Sequence, residues 1–296
     1  MIKNTTNQTI SSQEVEKEPS RFLHLSQQGL LYLALIVILV IYTIPGLGVL
    51  LTSFKTDTEI SMEGLWNLPH ALRFDNYVNA WTSGDVAIYT RNSFLVTIPA
   101  TFCSILLGIL AGYVFSKLAF KGSEYVFIFV IAGLFFPPQI ILIPLFQLFN
   151  KIGLYDTIWP MIIVHTAFGL PICTLIMRNY FSAIPIAIRE AAIIDGANEA
   201  QILTRIMLPV SLPAVAVLAT LQFTWIWNDF LYPIIFTRSV QARTIMVGLI
   251  SLQGQYSVAW GEQGAMAVIA SIPTLLVFVF FQRYFIQGLT LGAVKG

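Results

Sequence analysis

Long apolar runs and short polar connections alternate along the whole chain. Six runs carry about 20 or more mostly apolar residues, the length an α-helix needs to cross a bilayer. They are approximately Gly29–Leu51, Asn92–Ser116, Tyr125–Leu148, Ile158–Met177, Leu212–Phe236 and Ala265–Phe285. The pattern predicts an all-α protein, a bundle of six transmembrane spans occupying residues 29–296. Residues 1–28 are polar and poor in aromatics, and are expected to form a disordered tail. The first apolar run begins late, is long and is followed by no small-residue cleavage site, so it reads as an uncleaved anchor and not as a secretory signal.

Several spans contain proline: Pro45, Pro99, Pro137, Pro138, Pro144, Pro171 and Pro273. Broken helices are tolerated in a membrane where neighbouring helices or a water-filled cavity satisfy the freed carbonyls. Membrane helices also carry more proline than soluble ones, so either a pathway or ordinary membrane composition accounts for them. In the second span Ser104, Gly108, Gly112 and Ser116 recur every four residues, a ladder that lets another helix approach closely. The partner is another span of this chain or a span of a second subunit.

Composition narrows the class. Hydrophobic residues make up 56% of the chain, charged residues 10%, and the mean hydropathy is +0.77. A soluble domain carries about 25% charged residues, so this chain is an integral membrane protein. The net charge of +1 says nothing about nucleic acid, but no basic cluster interleaved with aromatics occurs, so no nucleic-acid partner is expected. Cys103 and Cys173 both lie in apolar runs and read as buried small hydrophobes; no disulfide or metal site is expected. An even number of spans places both termini on one side. Setting that side in the cytoplasm gives ten Lys/Arg inside and six outside, the direction the positive-inside rule favours. Tryptophans near the proposed outer ends, among them Trp81, Trp159, Trp225 and Trp260, fit an interfacial belt.

This topology puts a polar island in the cytoplasm between spans four and five, about residues 181–209. Pro185 is suited to open a helix, Ile186–Ile194 continue it, and Gly196 allows the left-handed conformation that stops it, assisted by Asp195. A second helical stretch over Asn198–Leu208 runs to Pro209. Ala191 and Ala192 keep one surface thin, Ile186, Ile193 and Ile194 offer apolar contact, and Glu190 offers a carboxylate. Such an element either receives a partner or merely caps the bundle as an amphipathic surface helix.

The string Glu190-Ala191-Ala192, Asp195-Gly196-Ala197, Ile206, Leu208-Pro209 and Pro213 resembles, in order and spacing, the EAA loop of importer permeases of the ATP-binding-cassette superfamily. Leu203 stands where that loop often has an aromatic, a mild change in a docking surface. Gly288-Leu289-Thr290-Leu291-Gly292-Ala293-Val294-Lys295-Gly296, Trp227-Asn228-Asp229-Phe230 and Arg91-Asn92-Ser93 resemble the carbohydrate branch, in particular the smaller permease of maltose-type importers. The resemblance covers about residues 20–296. It implies a type I importer permease in a prokaryotic inner membrane, with the EAA loop as coupling helix. It also implies a second, larger permease, two ATP-binding subunits and an extracytoplasmic solute-binding protein. The outer loop Thr237–Gly264, with Gln253, Gly254, Gln255 and Tyr256 at its centre, would reach that binding protein.

No Gly-x-x-x-x-Gly-Lys-Ser/Thr string occurs, so no cofactor is expected on this chain; ATP and Mg²⁺ belong on the partner ATPase subunits. No His-x-x-x-His or Gly-x-Ser-x-Gly string is present, and the histidines His24, His70 and His165 are scattered, so no catalytic or metal role is assigned. Thr220, Thr224 and Asn228 stand at four-residue steps on one face of span five, with Asp229 beside them in the outer half of the membrane. These groups either meet sugar hydroxyls, with Trp225, Trp227 or Phe230 covering apolar sugar faces, or bind nearby backbone or a second subunit at a gate. Gln139 and His165 either line the same pathway or make interhelical hydrogen bonds. A secondary transporter or channel is the alternative; it predicts several intramembrane carboxylates and an inverted repeat, of which only Asp229 is seen. A permease of the same superfamily for a non-sugar solute is a further alternative.

Overall fold

Each apolar run becomes helix; the third is bent at its adjacent prolines, and a second bend falls just before the fifth. A computed structural model describes residues 21–251 and 259–293. The chain divides after Gly48 into two compact units. The first holds most of α1 (Arg21–Thr52), a helix apolar all round that begins before the apolar run does.

The second unit opens with two short helices, α2 (Asp57–Glu63) and α3 (Asp75–Thr82), followed by the long α4 (Val86–Lys117). Thr56 caps α2 with a full capping box, Glu59 reaching back to the Thr56 N–H at 2.7 Å. The Thr56 and His70 N–H bonds lower the pKa of the Glu59 carboxyl to about 2.

The third run is two helices, α5 (Ser123–Ala132) and α6 (Leu142–Lys151), whose extended halves meet at 91°. Pro137 and Pro138 remove two donors, and Phe136, next to them, takes an extended ψ of 119°. The fourth run is the unbroken α7 (Trp159–Ala183). After it come α8 (Ile186–Ile194), α9 (Glu199–Ile202), a π-helical turn over Leu203–Met207 and α10 (Leu208–Val210). The axis then bends by 77° into α11 (Leu212–Trp227), between Pro209 and Pro213.

The run expected as one span over Leu212–Phe236 is interrupted. Helix α11 stops at Trp227, and α12 (Leu231–Phe236) starts afresh. The interruption is built by Asp229, whose carboxylate accepts the Leu231 and Tyr232 N–H groups at 3.1 and 3.2 Å. Helix α13 (Ile245–Ser251) and the long α14 (Trp260–Ala293) complete the chain. Among the described residues four helices are long and apolar enough to cross a membrane singly, and up to six spans result if each bent pair counts as one.

The small-residue ladder of α4 packs against α7 of the same chain. A Cβ on Gly108 would lie 2.3 Å from Cys173 Cβ, and one on Gly112 would lie 2.7 Å from Met177 Cβ. At the same seam Ser104 Oγ crowds Gly169. Both cysteines are free. At the far end of α4, Asn92 Nδ2 donates to the carbonyls of Gln241 and Arg243, and Ser93 Oγ accepts the Ile245 N–H at 2.9 Å. Residues 92 and 93 thus pin the connection between α12 and α13, which gives that sequence motif a structural job.

Candidate functional site

The α7–α11 connection is a rigid knuckle. Helix α8 ends in a Schellman turn: the Ala197 N–H reaches Ala192 O at 2.9 Å, and the Gly196 N–H reaches Ile193 O at 3.0 Å. The turn requires a left-handed residue, and Gly196 supplies it with φ 84°. Asp195 is the last residue before that turn. Asn198 then starts α9 through a capping box with Gln201.

Four side chains lock the knuckle to the bundle. Glu199 accepts a 2.6 Å bond from the Tyr113 hydroxyl of α4 and pairs with the Arg189 guanidinium of α8. The bond to Glu199 holds Arg189 above its ordinary pKa. Lys117 Nζ donates to Ile184 O at 2.5 Å, just before α8 begins. None of these contacts was expected from the sequence. Position 113 lies in the second run and position 199 in the polar island, and no spacing rule joins them.

The expected docking surface is partly corrected. Ala192 is 6% exposed and packs in one core with Tyr113, Met177, Phe181, Ile202 and Leu203, so it roots α8 instead of thinning its outer face. Leu203 belongs to the same core, and its departure from the aromatic pattern is therefore a packing change and not a surface one. The outer face consists of Ile186, Glu190, Ala191, Ile193 and Ile194, all exposed, with Ile194 at 86%. Asp195, Gly196 and Pro209 are exposed as well, and Ala197 is half-buried.

A second polar cluster sits at the break between α11 and α12. His165 of α7 is 3% exposed, and its Nε2 lies 3.2 Å from Asp229 Oδ2. The Tyr232 ring stands edge-on to the imidazole at 5.2 Å, with its hydroxyl buried and unpartnered. Asn228 closes α11 by donating to Thr224 O at 2.8 Å, and its side chain is exposed. The structure thus brings His165 beside Asp229, with no hydrogen bond between them, and joins the Asn228 side chain to the Thr224 carbonyl. Gln139, exposed on the 3₁₀ turn Pro138–Ile141, has no hydrogen bond to any of them. Trp227 is 1% exposed and donates its indole N–H to Ala270 O of α14, so it cannot cover a ligand; Trp225 is 74% exposed. Gln253, Gly254, Gln255 and Tyr256 lie outside the described residues.

Comparison with known proteins gives consistent matches. Residues 104–291 match the family described as binding-protein-dependent transport system inner membrane component. A probable ABC transporter permease of Pyrococcus horikoshii is 37% identical over 84% of this chain and 91% of its own length. The arabinooligosaccharides transport system permease protein AraQ of Halalkalibacterium halodurans is 35% identical over 85% and 91%. The diacetylchitobiose uptake system permease protein NgcG of Streptomyces coelicolor is 32% identical over 93% and 90%. Among solved structures, a chain of a bacterial ABC transporter that imports the acidic polysaccharide alginate superposes with a TM-score of 0.77. It shares 22% identity and covers 90% of this chain and 99% of its own, a likeness of fold.

Proposed function

The chain belongs to the family of binding-protein-dependent transport system inner membrane components, and from that premise we propose that it is the carbohydrate-importing permease whose knuckle carries force from an ATPase. Membership makes it a membrane-spanning ABC permease and replaces the alternative of a self-sufficient secondary transporter or channel. In this reading the solute is a carbohydrate, as the names of the arabinooligosaccharide and diacetylchitobiose permeases support. The working assembly adds a second permease, two ATP-binding subunits that hold ATP and Mg²⁺, and an extracytoplasmic solute-binding protein. Both termini and the knuckle lie in the cytoplasm.

One observation carries the proposal: α8 is buried on one side and apolar on the other. Ala192, Arg189 and the Schellman turn fix it to α4 and to the run that leads into α11, while Ile193 and Ile194 stand in the open. Apolar residues held rigidly at a surface fit a groove on another subunit. A push on α8 then moves α7, α9 and α11 as one body. Glu190, Ala191, Asp195, Gly196, Ala197 and Pro209 shape or present this contact. At the opposite end of the bundle, Thr224, Asn228, Asp229, Gln139 and His165 remain our candidates for the solute pathway. Of these, Asn228 and Gln139 are open to a ligand, and the half-buried Asp229, beside the buried His165, is better suited to hold the break in place.

Ile194→Asp tests the docking role. Burying an isoleucine is worth about 2 kcal/mol, so the exchange is expected to weaken attachment of the ATP-binding subunits more than tenfold. Yield of the permease in the membrane is expected to be unchanged, because the residue touches no core. Co-purification from detergent and uptake of labelled oligosaccharide are the measurements. Full retention of both, at normal expression, refutes the assignment.

A further inference from the structure

The connection between α1 and α4 is pinned at its root and apolar on its open side. Asn76 Nδ2 donates to Ser53 O and Lys55 O at 2.9 and 2.8 Å. The buried Lys55 donates to Gly64 O and Leu65 O, and Asp57 Oδ1 accepts the Gly261 N–H at 3.1 Å. A Cβ on Gly261 would lie 2.6 Å from Lys55 O, so the connection is pressed against the first turn of α14. It is thereby fixed at the level where a membrane span begins.

The open side of this connection carries Trp66, Leu68, Leu72, Phe74, Val78 and Trp81, all exposed. Phe74, which caps α3, and Val78 and Trp81 within it stand at i, i+4 and i+7 on one side, while Ala80 enters the core beside Tyr89 and Trp227. Tyr77, Val78, Trp81 and Thr82 border an open cleft of about 340 Å³ whose far wall is Ile269 of α14. Ile269 is nine residues beyond Trp260, about 13 Å down that helix at 1.5 Å per residue. Further along, Ile272 and Leu276 continue the same side of α14 and are exposed. The apolar face of α3 is therefore continuous with the surface that a membrane span shows to lipid.

We propose that residues 65–82 form an interfacial membrane anchor, with the Phe74–Val78–Trp81 face in the headgroup–acyl boundary and a phospholipid acyl chain in the cleft between α3 and α14. Tryptophan rings at this level have their apolar bodies in lipid and their N–H groups toward water. Through Asn76, Lys55 and Asp57 the anchor sets the height of α14, against which α11 packs by way of Trp227.

The test uses the complete transporter reconstituted in phospholipid bilayers, with Cys103→Ala and Cys173→Ala in this chain and uptake retained. A nitroxide is placed in turn at Val78→Cys, Trp81→Cys and Asn79→Cys. At 78 and 81 collisions with oxygen are expected to be high and collisions with a water-soluble nickel chelate low; at 79 the order reverses. Nickel access at 78 and 81 equal to that at 79 overturns the proposal, because the face then meets water. Exclusion of both reagents from 78 and 81 also overturns it, because a protein subunit then covers the face. Either position suffices if the other variant fails to assemble. None of these outcomes bears on the ATPase-coupling role of α8, which lies at the other end of the bundle.

Discussion

Replacing Gly108 by leucine is expected to destabilise the folded permease and lower its thermal midpoint by several degrees. The first added carbon alone would sit 2.3 Å from Cys173 Cβ and 2.8 Å from the Cys173 carbonyl carbon. Backbone cannot yield there without moving α4 away from α7. Overpacking of this kind costs about 1–3 kcal/mol, and a rigid helix seam stands at the upper end of that range. Native proteins hold only about 5–15 kcal/mol in reserve. The readout is the monodisperse fraction after detergent extraction and its thermal midpoint. The pair Gly108→Ala with Cys173→Gly is expected to recover part of the loss of Gly108→Ala alone, since it removes the nearest atom but leaves the backbone contact. An unchanged midpoint for Gly108→Leu would contradict the packing described.

Loss of Glu199 should act differently, on coupling more than on folding. The carboxylate joins Tyr113 of α4, Arg189 of α8 and its own α9. Glu199→Ala removes one charge-assisted bond and an ion pair that water partly screens, together about 1–2 kcal/mol. It also leaves Arg189 facing Lys117 without its counter-charge. Spans α4, α7, α11 and α14 do not depend on this contact, so insertion is expected to persist. Transport per ATP hydrolysed is expected to fall about tenfold, because α8 then turns under load without moving α4. Glu199→Gln keeps an acceptor for Tyr113 and should lie between the two. Uptake and ATPase rate measured on the same proteoliposomes give the ratio, and a wild-type ratio for Glu199→Ala would show that the network transmits nothing.

The apolar runs were readable because each obeys one rule, the length of a membrane crossing. That rule located every long helix, and Pro185 and Gly196 bounded α8 by their backbone preferences. It did not show the break after Trp227, because Asn228, Asp229 and Phe230 are short of any proline or glycine and the interruption depends on a carboxylate turning onto the next helix. The partner of the Gly108–Gly112 ladder was undecidable from spacing, which says how close a helix can come but not which one. Ala192 was misplaced for a related reason: a small residue suits both a thin outer face and a tight inner contact, and only the fold tells them apart. The Tyr113–Glu199–Arg189 lock joins residues 86 positions apart and leaves no periodic trace.

The central claim, that α8 is gripped by an ATP-binding subunit on the cytoplasmic face, is tested most directly by one labelling experiment. Ile194→Cys is treated with a membrane-impermeant maleimide in inside-out vesicles, before and after the ATP-binding subunits are stripped, and in intact cells. The account predicts protection in the assembled vesicles, rapid labelling once the subunits are removed, and none in cells. Labelling of intact cells, or labelling of assembled vesicles as fast as stripped ones, contradicts it.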